Sequence, residues 1–332
     1  MSGGRGIVLI SGGLDSLLAA RLLMDQDLDL IGFYGALPFV PPDADEASLR
    51  PVQLASQINL AVHVHRCGGE YIDILRNPSH GYGKNMNPCI DCHIYFIKKA
   101  AEMMRDCRAD FVATGEVVGQ RPMSQMRHTM NHIEKEAGLR GRLLRPLSAK
   151  LLKPTIPEEE GIVNRDLLLG INGRSRKEQF DLARRYDIRE YESPSGGCLL
   201  TDRFISRRVR DLVAYDRDAG HVDFYLLTIG RHYRISEAAK IIVSRNELEN
   251  NELEKYRAVS DYFCLPEFKG PAVFVKGAVS ESDMKLIASI MLRHGKVGDG
   301  VPAITINTGV GSVTRLIAEN TVSDEDLERL RI

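Results

Sequence analysis

Short apolar runs alternate with longer amphipathic stretches through the first part of the chain. Residues 6–10, Gly-Ile-Val-Leu-Ile, have the β-branched, continuously apolar character of a buried parallel strand. A glycine turn follows at 11–13, and Leu17, Leu18, Ala20, Leu22 and Leu23 predict a helix. Further strands are predicted at 30–35, 60–65 and 110–115, with helices from Asp45 to Ile58 and over 88–105. This alternation predicts an α/β fold, a doubly wound parallel sheet whose ligands sit at the carboxyl ends of the strands. Pro122, Pro146, Pro154 and Pro157 break the pattern between 119 and 175, and a helix returns at 176–186. Beyond the loop Glu192-Ser-Pro-Ser-Gly-Gly-Cys the rhythm changes. Apolar runs at 224–229, 239–243, 272–275 and 303–306, with helical stretches around 281–293 and 322–331, predict a smaller α+β domain. The expected organisation is a nucleotide-binding domain over 1–188, a cysteine-bearing loop and linker over 189–222, and the small domain over 223–332.

Composition narrows the class. With 332 residues, 43% hydrophobic and 27% charged, the chain reads as a two-domain globular protein, not as a disordered chain, a collagen or a small disulfide scaffold. No apolar run approaches the ~18 residues of a membrane helix, and Met1-Ser-Gly-Gly-Arg-Gly does not read as a signal peptide. The expected compartment is the cytoplasm, where six cysteines serve as metal ligands, catalysts or core residues, not as disulfides. The net charge of −1 hides an uneven distribution: −4 over 1–120, +7 over 121–210 and −4 over 211–332. Within 121–153, Arg121, Arg127, Lys135, Arg140, Arg142, Arg145, Lys150 and Lys153 face only Glu134 and Glu136. With Arg174, Arg176 and Lys177 they form a candidate polyanion surface, an alternative to an ordinary solvated basic face.

The sharpest chemical signal is Ser11-Gly12-Gly13-Leu14-Asp15-Ser16, between a predicted strand and a predicted helix. Glycines let backbone N–H groups approach an anion, Ser11 and Ser16 add hydroxyls, and the helix start favours negative charge. The loop lacks the Gly-Lys-[Ser/Thr] of a Walker loop, and Asp15 suits Mg²⁺ or a reacting group better than a phosphate. Ala113-Thr-Gly-Glu116 ends the fourth predicted strand on the same edge.

Cys67, Cys107 and Cys264 are expected to be packing residues. Cys89 and Cys92 open a helix behind Asn87 and Pro88, where the macrodipole favours thiolates. Cys198 follows Gly196 and Gly197, which let the backbone bend toward a cleft. Cysteine chemistry at this trio stays open between three thiolate ligands, a persulfide and disulfide pair, and a structural zinc or inert thiols. Zinc wants a fourth ligand, for which His93 is the candidate.

The loop in its strand–loop–helix setting resembles that of the PP-loop ATP pyrophosphatases, which adenylate a carbonyl oxygen or carboxylate. That resemblance implies a Rossmann-like nucleotide-binding domain holding ATP and Mg²⁺ through Ser11, Gly12, Gly13, Asp15 and Ser16, with Gly115 as a second contact. Asn87-Pro-x-x-x-Cys92 is similar to the tRNA 2-thiouridylases of the MnmA type, which implies catalytic roles for Asp15, Cys92 and Cys198. Cys89 departs from that pattern. Cys-x-x-Cys with one distant Cys looks like the TtuA and TtcA thiolases, implying a [4Fe–4S] cluster on Cys89, Cys92 and Cys198. The TtuA zinc ribbons are absent. Thr228-Ile-Gly-Arg-His-Tyr-Arg and Val243-Ser-Arg-Asn resemble the RNA-binding domain of NFACT proteins.

The function these resemblances imply is ATP-dependent tRNA thiolation. Its expected partners are tRNA, a sulfur donor (a cysteine desulfurase, a sulfur carrier or free sulfide) and a second copy in a homodimer. An amide-ligase type of PP-loop enzyme acting on a small molecule or carboxylate would need neither the trio nor the basic block. A non-catalytic RNA-binding protein would not need an intact loop.

Overall fold

The computed structural model describes residues 3–193, 198–308, 311 and 313–332, and the chain divides into two compact units, up to Asp202 and from Arg203. The glycines before Cys198 fall outside the described residues.

The first unit runs β1 (Arg5–Leu9), α1 (Leu14–Met24), β2 (Asp29–Ala36), α2 (Arg50–Ser56), β3 (Val62–Arg66), α3 (Gly69–Arg76), α4 (Cys89–Asp106), β4 (Phe111–Ala113), α5 (Arg127–Glu136), β5 (Leu143–Leu144), α6 (Ile156–Glu159) and α7 (Lys177–Arg185). Its sheet is parallel throughout, in the order β3-β2-β1-β4-β5. Both faces are covered: α1, buried through Leu14, Leu17, Leu18, Leu22 and Leu23, packs below, and Ile94, Ile97, Ala101 and Met104 of α4 pack above against Ile7, Phe33 and Val112. This explains why the strands read as continuous apolar runs. The chain builds outward from β1 to β3 and then returns to β4 on the other side of β1. The order therefore reverses between β1 and β4, and a crevice opens beyond their carboxyl ends.

The second unit runs α8 (Arg203–Tyr215), α9 (His221–Leu226), β6 (Arg231–Arg234), β7 (Ala239–Val243), α10 (Glu247–Lys255), β8 (Tyr262–Pro266), β9 (Val273–Gly277), α11 (Glu281–His294), β10 (Ala303–Thr308), β11 (Val313–Ile317) and α12 (Asp324–Leu330). Its six-stranded sheet, β11-β10-β8-β9-β7-β6, is antiparallel. Alternate residues serve opposite faces. Ala239, Ile241 and Val243 pack with Ile287, Ile290 and Met291 of α11, whereas Ile242 and Phe274 pack with Tyr225 of α9 and Leu253 of α10.

The doubly wound parallel sheet followed by an α+β unit is the architecture expected from the alternation of elements. The helices α5, α8 and α10 were not expected. In α5 only Thr129, Met130 and Ile133 are buried, which leaves too few apolar positions to show a period. The apolar run at 224–229 is the end of helix α9 and the turn after it.

Candidate active site

The crevice at the reversal point is a cavity of about 870 Å³, within the range of small-ligand sites. Its polar wall is the loop between β1 and α1. Gly12 has φ +79°, a conformation only glycine adopts freely, and this turns the chain so that Gly13 caps α1. Ser16 Oγ donates to Gly13 O at 2.7 Å and accepts from Ser11 N at 3.3 Å, which closes the loop on itself. Thr114 and Gly115 follow β4 beside it. A Cβ on Gly115 would lie 2.5 Å from Ser16 N, so only glycine lets β4 come this close to the start of α1. The apolar wall comes from the end of β2 and the segment after it, Phe33, Tyr34, Phe39, Val40 and Pro41. One side thus offers amides and hydroxyls to an anion, and the other offers flat apolar surface.

Asp15 is held from behind. Its Oδ2 accepts from Gln120 Nε2 at 2.6 Å and from Arg176 Nη2 at 3.2 Å, and Gln120 Oε1 in turn accepts from Gln179 Nε2 at 2.9 Å. Gln179 is fully buried. Oδ1 of Asp15 is buried and has no hydrogen-bond partner among the described residues. A buried carboxylate oxygen without a donor is costly unless a ligand group or cation meets it, and hard oxygen ligands are what Mg²⁺ takes.

Two of the three cysteines open onto the same cavity. Cys92 and Cys198 line it, and Cys92 feels the charges of both Cys198 and Cys89, as Cys198 feels that of Cys89. Among the described residues no three His, Cys, Asp or Glu side chains are grouped to hold a single metal ion. The trio nonetheless brings the charges of Cys89 and Cys198 to bear on Cys92, and thiolates are the donors a cluster uses.

The three thiols differ in character. Burial pushes Cys92 well up, although Tyr71 Oη lies 3.3 Å from its sulfur, and burial also raises Cys198. At Cys89 burial works the same way but is outweighed by a hydrogen bond from His93, with help from Ser124 and Arg121, so its pKa falls. Behind it stands a buried relay. His93 Nδ1 meets Glu116 Oε1 at 2.9 Å, leaving the other ring nitrogen for Cys89. Glu116 Oε2 accepts from Thr114 Oγ1 at 3.1 Å and Arg145 Nε at 2.9 Å, and Arg145 also pairs with Glu134 at 2.8 Å. Burial alone would lift the Glu116 carboxyl, but Arg145 and His93 hold it down at about 2. Burial alone would lower His93, but Cys89 and Glu116 raise it to about 10. The result is an imidazolium beside the thiol most ready to ionise.

The expected phosphate contacts separate into groups. Arg121, Arg127, Arg140, Lys150, Lys153, Arg174 and Lys177 are exposed, and Arg142 is half-buried with Nη1 on Asp110 O at 2.8 Å. Arg145 is a correction: it is 3% exposed and committed to Glu116 and Glu134, so it offers no surface to a polyanion. Arg176 faces the cavity and Asp15, not open surface. Sequence reasoning missed Gln120, Glu116 and Arg145 as site-building residues. Glu116 directly follows Thr114-Gly115, the one available signal, but its partners are 23 and 29 residues away.

Residues 1–151 match the family model described as thiamine biosynthesis protein (ThiI), and residues 230–331 match the NFACT protein RNA binding domain. The chain is 30% identical over 128 residues to the tRNA-specific 2-thiouridylase MnmA of Clostridium acetobutylicum, covering 33% of this chain and 34% of that protein. It is 29% identical over 123 residues to the probable tRNA sulfurtransferase of Ureaplasma urealyticum, covering 35% and 30%. The matched part spans about a third of these curated relatives. Among solved structures, the U34-tRNA thiolase NcsA from Methanococcus maripaludis with its [4Fe-4S] cluster aligns with TM-score 0.36 and 18% identity, over 68% of this chain and 71% of that one. The first unit is therefore similar to the ThiI family and to tRNA-thiolating proteins, and the second to an RNA-binding domain.

Proposed function

We propose that this protein is an ATP-dependent tRNA sulfurtransferase that replaces a base carbonyl oxygen with sulfur. The observation that carries the reading is the meeting of the Ser11–Ser16 loop with Cys92 and Cys198 in one cavity, with Cys89 beside them. An enzyme that only adenylates has no use for thiols against its nucleotide site. A carbonyl oxygen is a very poor leaving group, and adenylation turns it into AMP. The base oxygen attacks the α-phosphorus, a new P–O bond forms, and the bond to pyrophosphate breaks.

In this reading the loop amides, Ser11, Ser16 and Gly115 hold the phosphates. Asp15, through its unpartnered Oδ1, holds Mg²⁺, which when bound neutralises phosphate charge. Arg176 is poised to leave Asp15 for the departing pyrophosphate, a role for a charge that develops in the transition state. Sulfur reaches the activated carbon from a persulfide on Cys198. The C–S bond forms as AMP leaves, and a second thiol then attacks the inner sulfur to give a disulfide that an external dithiol must reduce. Cys92 is the partner that resemblance implies, and Cys89, with its lowered pKa, is the readier nucleophile. The same trio fits three corners of a [4Fe–4S] cluster, which when bound would supply an iron able to present sulfide. The exposed Arg121, Arg127, Arg140, Lys150, Lys153, Arg174 and Lys177 are proposed to hold the tRNA backbone.

The experiment is a nucleoside profile by mass spectrometry of tRNA incubated with the protein, ATP, Mg²⁺ and sulfide or a persulfide donor. Appearance of one thionucleoside, lost in Cys198→Ala, is expected. Pyrophosphate release without any tRNA-borne sulfur would replace this reading with adenylation of another substrate. Anaerobic reconstitution with iron and sulfide, with Cys89→Ala as control, decides how the sulfur is held.

A further inference from the structure

The helix α8 lies outside both matched segments, yet it carries a row of three cations. Arg203, Arg207 and Arg210, spaced by four and three residues, stand on one face of the helix. Its other face is buried through Ile205, Val209 and Leu212. Arg208 turns inward and donates to Leu227 O at 2.6 Å and Gly230 O at 3.2 Å. Asp211, the single carboxylate within the helix, is 8% exposed and gripped by Arg234.

Several other surface arginines of this unit are paired. Arg245 sits on Glu249, Arg257 on Glu254, Arg293 on Asp324, Arg315 on Glu267 and Arg329 on Glu325. Among the described residues no carboxylate lies within ion-pair distance of Arg203, Arg207 or Arg210. Arg207 Nη2 donates to the backbone carbonyl of Arg331 at 2.9 Å, which occupies a donor and leaves the charge. Asp202 directly precedes the helix, and Asp216 and Asp218 follow it. Like charges one turn apart destabilise a helix, so a helix shaped for solubility alone would carry acids between them, as α12 does. The flat ring of Phe204 is 53% exposed on the same helix, and Tyr215, 55% exposed, has the Arg234 guanidinium 4.2 Å above it. Cations beside exposed rings form a surface suited to a nucleic-acid strand.

We propose that the outward face of α8 binds the phosphate backbone of RNA, with Arg203, Arg207 and Arg210 each meeting a phosphate. The identity of that RNA as tRNA rests on the function proposed above, but the surface itself does not depend on thiolation chemistry. RNA is favoured over an acidic protein because the cations recur at regular spacing beside exposed rings, and because the strands this helix precedes match an RNA-binding model.

The test uses the full chain with Arg203→Ala, Arg207→Ala and Arg210→Ala combined, titrated with labelled bulk tRNA at several salt concentrations. The expected result is at least about a tenfold loss of affinity at low salt and a fall of about 2–3 in the slope of log affinity against log salt. Lys285→Ala, whose ammonium pairs with Glu281 at 2.7 Å, should leave the slope unchanged. Unchanged affinity and slope in the triple variant would overturn the proposal, as would a wild-type chain that binds no tRNA. A wild-type chain that binds with the expected slope but forms no thionucleoside overturns the thiolation reading and leaves this surface standing. Native hydrogen exchange in β6–β11 confirms that the variant is folded.

Discussion

Both units bury charge, and they treat it in opposite ways. In the first, Glu116, His93 and Arg145 are buried or half-buried together and satisfied by one another, at the edge of a cavity that His93 and Glu116 line, and the network lowers the thiol of Cys89. In the second, Lys240 is 7% exposed beneath α8 and α9, Asp211 is already taken by Arg234, and among the described residues no carboxylate lies within ion-pair distance of the ammonium. Burial therefore lowers Lys240 to about 8. Paired buried charge fixes geometry for chemistry, whereas unpaired buried charge only strains the fold around it. The two units should consequently answer pH in opposite directions.

The largest expected effect breaks the paired network. Glu116→Ala leaves Arg145 and His93 without their shared anion and should cost about 3–5 kcal/mol in the first unit. Hydrogen exchange measured separately over β1–β5 and β6–β11 checks this, and equal protection in the variant would show the network to be incidental. Asp15→Asn should come next, lowering pyrophosphate release on the order of 10²-fold or more while tRNA binding holds. A variant that turns over normally would remove Asp15 from the chemistry.

The pH comparison is third. Glu116 is held at about 2 against 4.5 unfolded, so its contribution is full above 4.5 and lost as pH falls toward 2. His93 is raised to about 10 from 6.5, so its contribution is full below 6.5 and lost as pH rises through 10. Lys240 is lowered to about 8 from 10.5. Its folded form sheds the proton first, so the second unit gains stability between 8 and 10.5, on the order of 3 kcal/mol. Between pH 8 and 10 the first unit should weaken and the second strengthen. Lys240→Met should stabilise the second unit at pH 7 and flatten its response, and a slope that survives this change would assign it to another group. The smallest effect is that of Tyr71→Phe, which removes the contact to Cys92 for about 1 kcal/mol, read by thermal unfolding.

How much of this was legible in the sequence follows from distance along the chain. The nucleotide loop is six consecutive residues between a strand and a helix, so residues 11–16 declared both fold and chemistry. The trio was legible as spacing, because Cys89 and Cys92 share a helical turn. The relay was not, since Glu116 finds His93 and Arg145 only when β4 is set beside α4 and β5. Arg145 looked like part of a basic surface because charge counts along a chain cannot tell an exposed guanidinium from a buried one. Arg176 reaches Asp15 across 161 positions, and no local pattern marks that. In the second unit α8 hid behind its arginines, which dilute the apolar period of Ile205, Val209 and Leu212.

One backbone contact ties these parts together. Glu192 N donates to Gly12 O at 2.8 Å, so the chain returns to the nucleotide loop just before it reaches Cys198. Six residues, even fully extended, span about 20 Å. Cys198 therefore lies within that span of the loop itself. In the reading proposed above, the loop that grips the nucleotide also anchors the stretch of chain that carries the sulfur.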